Sequence, residues 1–203
     1  MIIEKAEVKD IDELEKMYYD VTEHLENTIN YPAWINGLYP TRATFEDAVR
    51  RGTMYVAREC AGDADKSADS PGCNCISGCS DCSERSGSRI MAGMVLKSEE
   101  EPEFDGVKWQ VEADAAETYA LCTLAVALDC GGRGIAEKMV RVALDLAQLN
   151  GKKAVRLDVT AINTPAIKLY EKLGFKYIGE IDEGEEYEKE YGERLFYLYE
   201  KLI

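Results

Sequence analysis

No apolar run in this chain approaches the roughly 20 residues that a helix needs to cross a bilayer. The first residues, Met1-Ile2-Ile3-Glu4-Lys5-Ala6-Glu7, lack the apolar core of a secretory signal. A cytoplasmic location without membrane contact is the expectation. Positive charge is scarce as well: Lys and Arg number 24 against 39 Asp and Glu, for a net charge of -15. Phosphate backbones need a basic surface, so nucleic acid is excluded as a partner. An acid excess serves solubility, and its field also draws in cationic acceptors such as amines. Histidine is all but missing, leaving His24 alone.

Seven cysteines are present: Cys60, Cys73, Cys75, Cys79, Cys82, Cys122 and Cys130. Without an export signal, stable disulfides are not expected. Cys73, Cys75, Cys79 and Cys82 crowd into one short stretch. Thiolates that close can share zinc or an iron–sulfur centre. The two pairs, Cys-x-Cys and Cys-x-x-Cys, stand nearer to each other than the pairs of most structural zinc sites. Metal binding, redox reactivity and an inert insertion all stay open.

The 203 residues suffice for one domain with a sizeable core. Ile11, Leu14, Met17, Tyr18 and Val21 recur at helical spacing, with Asp10 as the expected N-cap and Glu13 as its capping-box acid. Thr44 to Arg50 reads as a short helix capped by Thr44. Thr53 to Ala57 and Arg89 to Leu96 read as strands. Between them, residues 60–88 are Gly, Ser, Asp, Ala and Cys with little to bury, which marks an inserted loop. Tyr119 to Val126 is a strand, and Arg133 to Asn150 a helix burying Ala136, Met139, Val140, Ala143, Leu144 and Ala147. Ala154 to Val159 is a strand. Thr164 is the expected cap of a helix with Pro165 at its first position. Lys176 to Ile181 and Leu195 to Ile203 are strands around the acidic run Asp182 to Glu193. Helices and strands alternate without an internal repeat, so the class is α/β or α+β around one sheet.

The strand, the turn Gly131-Gly132-Arg133-Gly134-Ile135-Ala136 and the helix make a phosphate-binding arrangement. Glycines admit oxygens close to the backbone, and the first helical N–H groups have no partner of their own. Arg133 adds a positive charge. A P-loop would need Lys-Ser/Thr next, and Glu137-Lys138-Met139 has no such pair. A dinucleotide fingerprint would need a third glycine, where Glu137 stands. The diphosphate of coenzyme A is the third option, and a loop glycine pair that merely ends a strand is the other reading of so short a span.

The run Thr123 to Ala136 resembles motif A of the GNAT N-acetyltransferases, whose core is Arg/Gln-x-x-Gly-x-Gly/Ala. Leu157-Asp158-Val159 and Asn163-Thr164-Pro165-Ala166-Ile167-Lys168-Leu169-Tyr170-Glu171-Lys172-Leu173-Gly174-Phe175 resemble motif B. Order and spacing agree with the family. One departure is Gly131, where the family usually has Arg or Gln. The resemblance implies a GNAT acyl-CoA N-acyltransferase fold: a central mixed, mostly antiparallel sheet flanked by helices, a single domain over 1–203 with the insertion at about 60–88. It implies acetyl-CoA as cosubstrate and a small-molecule or peptide amine as acceptor, moved by direct attack in a ternary complex. Homodimers are common in the family.

By the same resemblance Leu124, Ala125 and Val126 lie along the pantetheine arm, with a backbone donor near the thioester oxygen. Gly131, Gly132, Arg133, Gly134, Ile135 and Ala136 hold the diphosphate, and Asn163 bonds the pantetheine or assists near the thiol. Tyr170 matches the family's general acid. A phenol of pKa roughly 10 facing a thiol of roughly 8.5 depends on positioning more than on acidity. His24, Glu112 and Glu117 are candidate bases, none preferred. The segment Tyr31-Pro32-Ala33-Trp34, Tyr39-Pro40 and the loop before the last strand are expected to form the acceptor pocket. A non-catalytic acyl-CoA-binding or metal- or redox-sensing regulator is the rival reading, and another donor such as succinyl-CoA a third.

Overall fold

The structure, a computed structural model, describes residues 1–59, 89–98, 104 and 106–203. The expected insertion, with Cys73, Cys75, Cys79 and Cys82, lies outside the described residues.

Seven strands form one sheet: β1 (Ile2–Lys5), β2 (Met54–Arg58), β3 (Ile90–Lys97), β4 (Thr118–Val126), β5 (Ala154–Thr160), β6 (Lys176–Asp182) and β7 (Leu195–Leu202). Their order across the sheet is β1-β2-β3-β4-β5-β7-β6, and every pair is antiparallel except β4 with β5. The helices are α1 (Ile11–Glu26), α2 (Arg42–Arg50), α3 (Ile135–Leu149), α4 (Thr164–Lys172) and α5 (Gly184–Tyr191). The mixed, mostly antiparallel sheet between helices is the fold class the sequence implies.

The core follows the apolar periodicities. Leu14, Met17, Tyr18 and Val21 of α1 are buried against the sheet, as are Met139, Val140, Ala143 and Ala147 of α3. β3 is buried along nearly its whole length, as expected of a strand covered on both faces. Ala136 and Leu144 were expected in the α3 core and are only half-buried, while Ile135 is buried in the helix's first turn.

Helix starts depart from expectation in three places. Asp10 stands at the N-cap of α1, yet its carboxylate accepts from Glu7 N–H at 2.8 Å and pairs with Arg58 at 2.6 Å. Glu13 accepts from Ile90 N–H at 2.6 Å instead of closing a capping box. Thr41, not Thr44, opens α2; the Thr44 hydroxyl accepts from the Thr41 N–H at 3.2 Å. Asn163, not Thr164, caps α4, its Oδ1 accepting from Ala166 N–H at 3.2 Å.

A buried ion pair ties the far end of the sheet. Arg156 of β5 donates to Glu200 of β7 at 3.0 Å, and Glu200 also accepts from Gln110 N–H at 2.8 Å. Arg156 further donates to Val111 O at 2.9 Å and stacks on Trp109 at 4.5 Å. The segment leading into β4 is thereby fixed to β5 and β7.

Candidate active site

β4 and β5 pair only at Thr118–Ala120 against Ala154–Arg156. Beyond these positions β4 continues to Val126 and β5 to Thr160 without a shared register. The parting strands open a cleft of about 650 Å³. Cys122, Thr123 and Leu124 line it from β4, Asp158 from β5, and Tyr170 reaches it from α4. Trp34 and Tyr39, from the segment between α1 and α2, close another wall. Thr160 fastens that segment by donating its hydroxyl to Tyr31 O. The remaining wall is α5, through Tyr187 and Tyr191, where the sequence showed only an acidic loop.

A bulge shapes β4 inside the cleft. Gly93 pairs with Ala125 and Val95 with Cys122, so Thr123 and Leu124 together stand opposite Met94. Thr123 takes φ 53, a left-handed conformation that costs a β-branched residue about 1–3 kcal/mol. Two phenols hold it there. Tyr18 donates to Thr123 O at 2.6 Å, and the Tyr39 hydroxyl shares a 2.8 Å hydrogen bond with Thr123 Oγ1. Gly93 makes room for the first of these: a Cβ there would stand 2.8 Å from the Tyr18 hydroxyl. A bulge interrupts the ladder with β3 and re-aims backbone groups, here toward the cleft around Leu124.

At the end of β4 the chain turns through a short helical turn, Leu128–Cys130, into Gly131–Gly134, all exposed. Gly132 (φ 73) and Gly134 (φ 70) occupy the left-handed region where glycine alone is unstrained. Gly134 is the N-cap of α3 and no side chain caps the helix. The first α-helical bond out of the turn runs from Lys138 N–H to Gly134 O at 3.1 Å. The N–H groups of Gly132, Arg133, Gly134, Ile135, Ala136 and Glu137 find no acceptor among the described residues. A row of free amides at the positive end of a 15-residue helix is an anion cradle.

This geometry can be set beside known proteins. The model of the acetyltransferase (GNAT) family matches residues 63–175. The chain belongs to that family. The N-acetylaspartate synthetase of Xenopus tropicalis is 43% identical over 51 residues, 25% of this chain and 19% of the relative. The mycothiol acetyltransferase of Corynebacterium glutamicum is 36% identical over 73 residues, 36% of this chain and 25% of the relative. The matches thus span a quarter or less of these relatives' length. A GNAT acetyltransferase structure from Streptococcus agalactiae superposes with a TM-score of 0.70 at 16% identity, covering 99% of this chain and 94% of that one. An acetyltransferase structure from Salmonella typhimurium with its cofactor acetyl-CoA gives 0.61 at 13% identity, covering 98% and 92%. At those identities the structures show a shared fold.

In this family member Tyr170 is buried on α4 and packs 5.7 Å, centroid to centroid, from Phe175. Burial, then the charge of Asp158 and the nearness of Cys122, push its hydroxyl above the ordinary phenol range. Tyr170 therefore keeps its proton at every physiological pH. Tyr39 is pushed up to about 12, first by burial, while its bond to Thr123 pulls the other way. The residue is 37% exposed, but its hydroxyl end points inward to Thr123.

Asp158 is the functional candidate that sequence reasoning passed over. It sits on β5 where the partner strand has left, and its charge acts on Tyr39, Tyr170 and Tyr187 alike. The earlier candidate bases lie elsewhere. Neither His24, Glu112 nor Glu117 lines the cleft, and Glu117 pairs with Lys153 at 2.7 Å. Leu124 and Asn163 are in the lining, while Gly131 to Ala136 form the turn at the end of β4.

Proposed function

We propose that this protein moves the acetyl group of acetyl-CoA to a primary amine by direct attack in a ternary complex. The free amides at the N-terminus of α3, standing beside a sheet that splits between β4 and β5, carry this reading.

Acetyl-CoA supplies an activated thioester; the chain supplies placement and proton handling. The amides of Gly132 to Glu137 and the Arg133 side chain hold the diphosphate. The unpaired edge of β4 from Leu124 to Val126 offers backbone groups to the pantetheine arm, as a missing strand would. Asn163 already spends its Oδ1 on α4, so its Nδ2 is the group left to donate to the pantetheine. A backbone N–H in the bulge at Thr123–Leu124 stabilises charge developing on the thioester oxygen.

The acceptor enters between Trp34, Tyr39 and the α5 tyrosines. Asp158 accepts a hydrogen bond from its nitrogen. As the new C–N bond forms, the two nitrogen protons become acidic; the carboxylate can take one and the other stays on the amide. Tyr170, neutral throughout, donates a proton to the departing thiolate. Thiol release from acetyl-CoA over a panel of amines tests the proposal. Turnover with an amine supports it; tight acetyl-CoA binding without turnover on any amine, α-amino acid or peptide favours a binding regulator instead.

A further inference from the structure

The turn before α3 collects more positive charge than its own residues provide. Arg89 lies one residue before β3, forty positions away from the turn in sequence. Its Nη1 donates to Asp129 Oδ2 at 2.5 Å, and its Nη2 stands 3.1 Å from Cys130 Sγ. Arg133 Nη1 reaches the same sulfur at 3.6 Å. Cys130 is fully buried, and both guanidinium groups reach its sulfur at the turn that leads into the free amides.

This juxtaposition bears on the family's departure at Gly131. We propose that Arg89 supplies to the coenzyme's phosphates the cation that position 131 lacks, delivering it from the root of β3 instead of from the turn itself. The inference rests on the acetyl-transfer reading and adds a cofactor-binding residue to it.

The local charges are compatible with exchange. Arg89 is half exposed, and its ion pair with Asp129 uses one of five N–H donors. Its charged form is favoured first by the hydrogen bond to Asp129. Arg133 is likewise held by an exposed carboxylate, Glu59, at 3.5 Å. Exposed pairs of this kind are weak, so a multiply charged phosphate can replace either carboxylate at little cost. The like charge of Arg133, the acids Asp129 and Glu59, and Cys130 are the groups facing Arg89.

Gly131 also offers a control. Its backbone is not left-handed, and a Cβ there would meet only Leu128 O at 3.6 Å, an ordinary contact. An arginine can therefore be placed at 131 without strain.

The test compares dissociation constants for acetyl-CoA and for S-acetylpantetheine, which carries the thioester but no phosphate. The expected result for Arg89→Ala is about tenfold weaker acetyl-CoA binding at low salt, about 1.4 kcal/mol. S-acetylpantetheine binding is expected to be unchanged. Gly131→Arg in the Arg89→Ala background restores acetyl-CoA affinity. Equal weakening of both donors, or none for acetyl-CoA, overturns the role of Arg89 while leaving acetyl transfer standing. A native protein that binds the two donors equally well overturns both the phosphate grip and this inference.

Discussion

In the proposed reaction Tyr170 and Asp158 divide the proton work, and burial sets how Tyr170 behaves with pH. Tyr170 is held above the ordinary phenol value by burial, so it stays a donor beyond pH 10. Activity should rise with pH as the acceptor amine loses its proton and then hold level to about pH 10. Tyr170→Phe is expected to lower kcat about 100-fold or more, with the KM for acetyl-CoA little changed. Asp158→Asn should lower kcat/KM for the amine and leave acetyl-CoA binding intact. Steady-state kinetics across pH 6 to 10 check both. Normal turnover by Tyr170→Phe would remove that residue's role.

Asp158 could not be chosen from the sequence because its alternation with Leu157 and Val159 is that of any strand. Its exposure depends on where β4 leaves β5, and that is a property of topology. Tyr170 was legible because the motif names its position; its helix stripe alone would place it in the core, where it also is.

Among the elements, the bulged β4 holds the left-handed Thr123 in the wall of the cleft. Tyr18 is buried, and its single hydroxyl fixes the carbonyl of a left-handed threonine. Tyr18→Phe keeps the ring packed at a tilt against Phe45 and Trp34 but frees the bulge. Loss of about 1–2 kcal/mol of stability in urea is expected, together with a fall in kcat of about tenfold. Unaltered kcat would show that the bulge needs no such lock.

The buried pair Arg156–Glu200 carries a different load. Removing Glu200 leaves a buried guanidinium without its counter-charge and the Gln110 amide without its acceptor. Glu200→Ala should cost about 3–5 kcal/mol in denaturant unfolding. A loss below about 1 kcal/mol would mean that water enters and replaces it.

Six of the seven strands and the helices α1, α3 and α4 were readable from the apolar pattern; β1 was not, since its four residues, Ile2–Lys5, leave none fully buried. α5 was not: none of its residues is buried, and its Glu and Tyr content gives no apolar face to detect. Its end is set by Gly192 at φ 80. Helix starts were the other weak point. Thr41 and Thr44, and Asn163 and Thr164, are all capping residue types, and composition cannot choose between near neighbours.

For the whole molecule, an alkaline limit follows from the buried phenols. Tyr18 and Tyr170 both have folded pKa values above the ordinary 10, through burial first. Unfolding returns them to about 10. Their contribution is therefore complete below pH 10 and is lost as pH rises beyond it, because the unfolded chain releases protons that the folded chain retains. The expectation is a falling Tm above pH 10, with phenolate absorbance appearing together with unfolding. Ionisation of all twelve tyrosines before any loss of structure would contradict it.

The chain's net charge of -15 makes a local anion site conspicuous. An acidic protein that holds a diphosphate must do so with backbone dipoles and a few placed guanidinium groups, since its long-range field opposes the ligand. The glycines of that turn were legible as a motif; the absence of any side-chain cap on α3 was not, because it depends on what the surrounding loops leave open.

The most direct measurement follows the backbone amides by ¹H–¹⁵N correlation spectroscopy as coenzyme A is added. The largest shifts are predicted at Gly132 to Glu137, with smaller ones at Leu124 to Val126. Saturating coenzyme A that moves other amides and leaves Gly132 to Glu137 where they were would contradict the account.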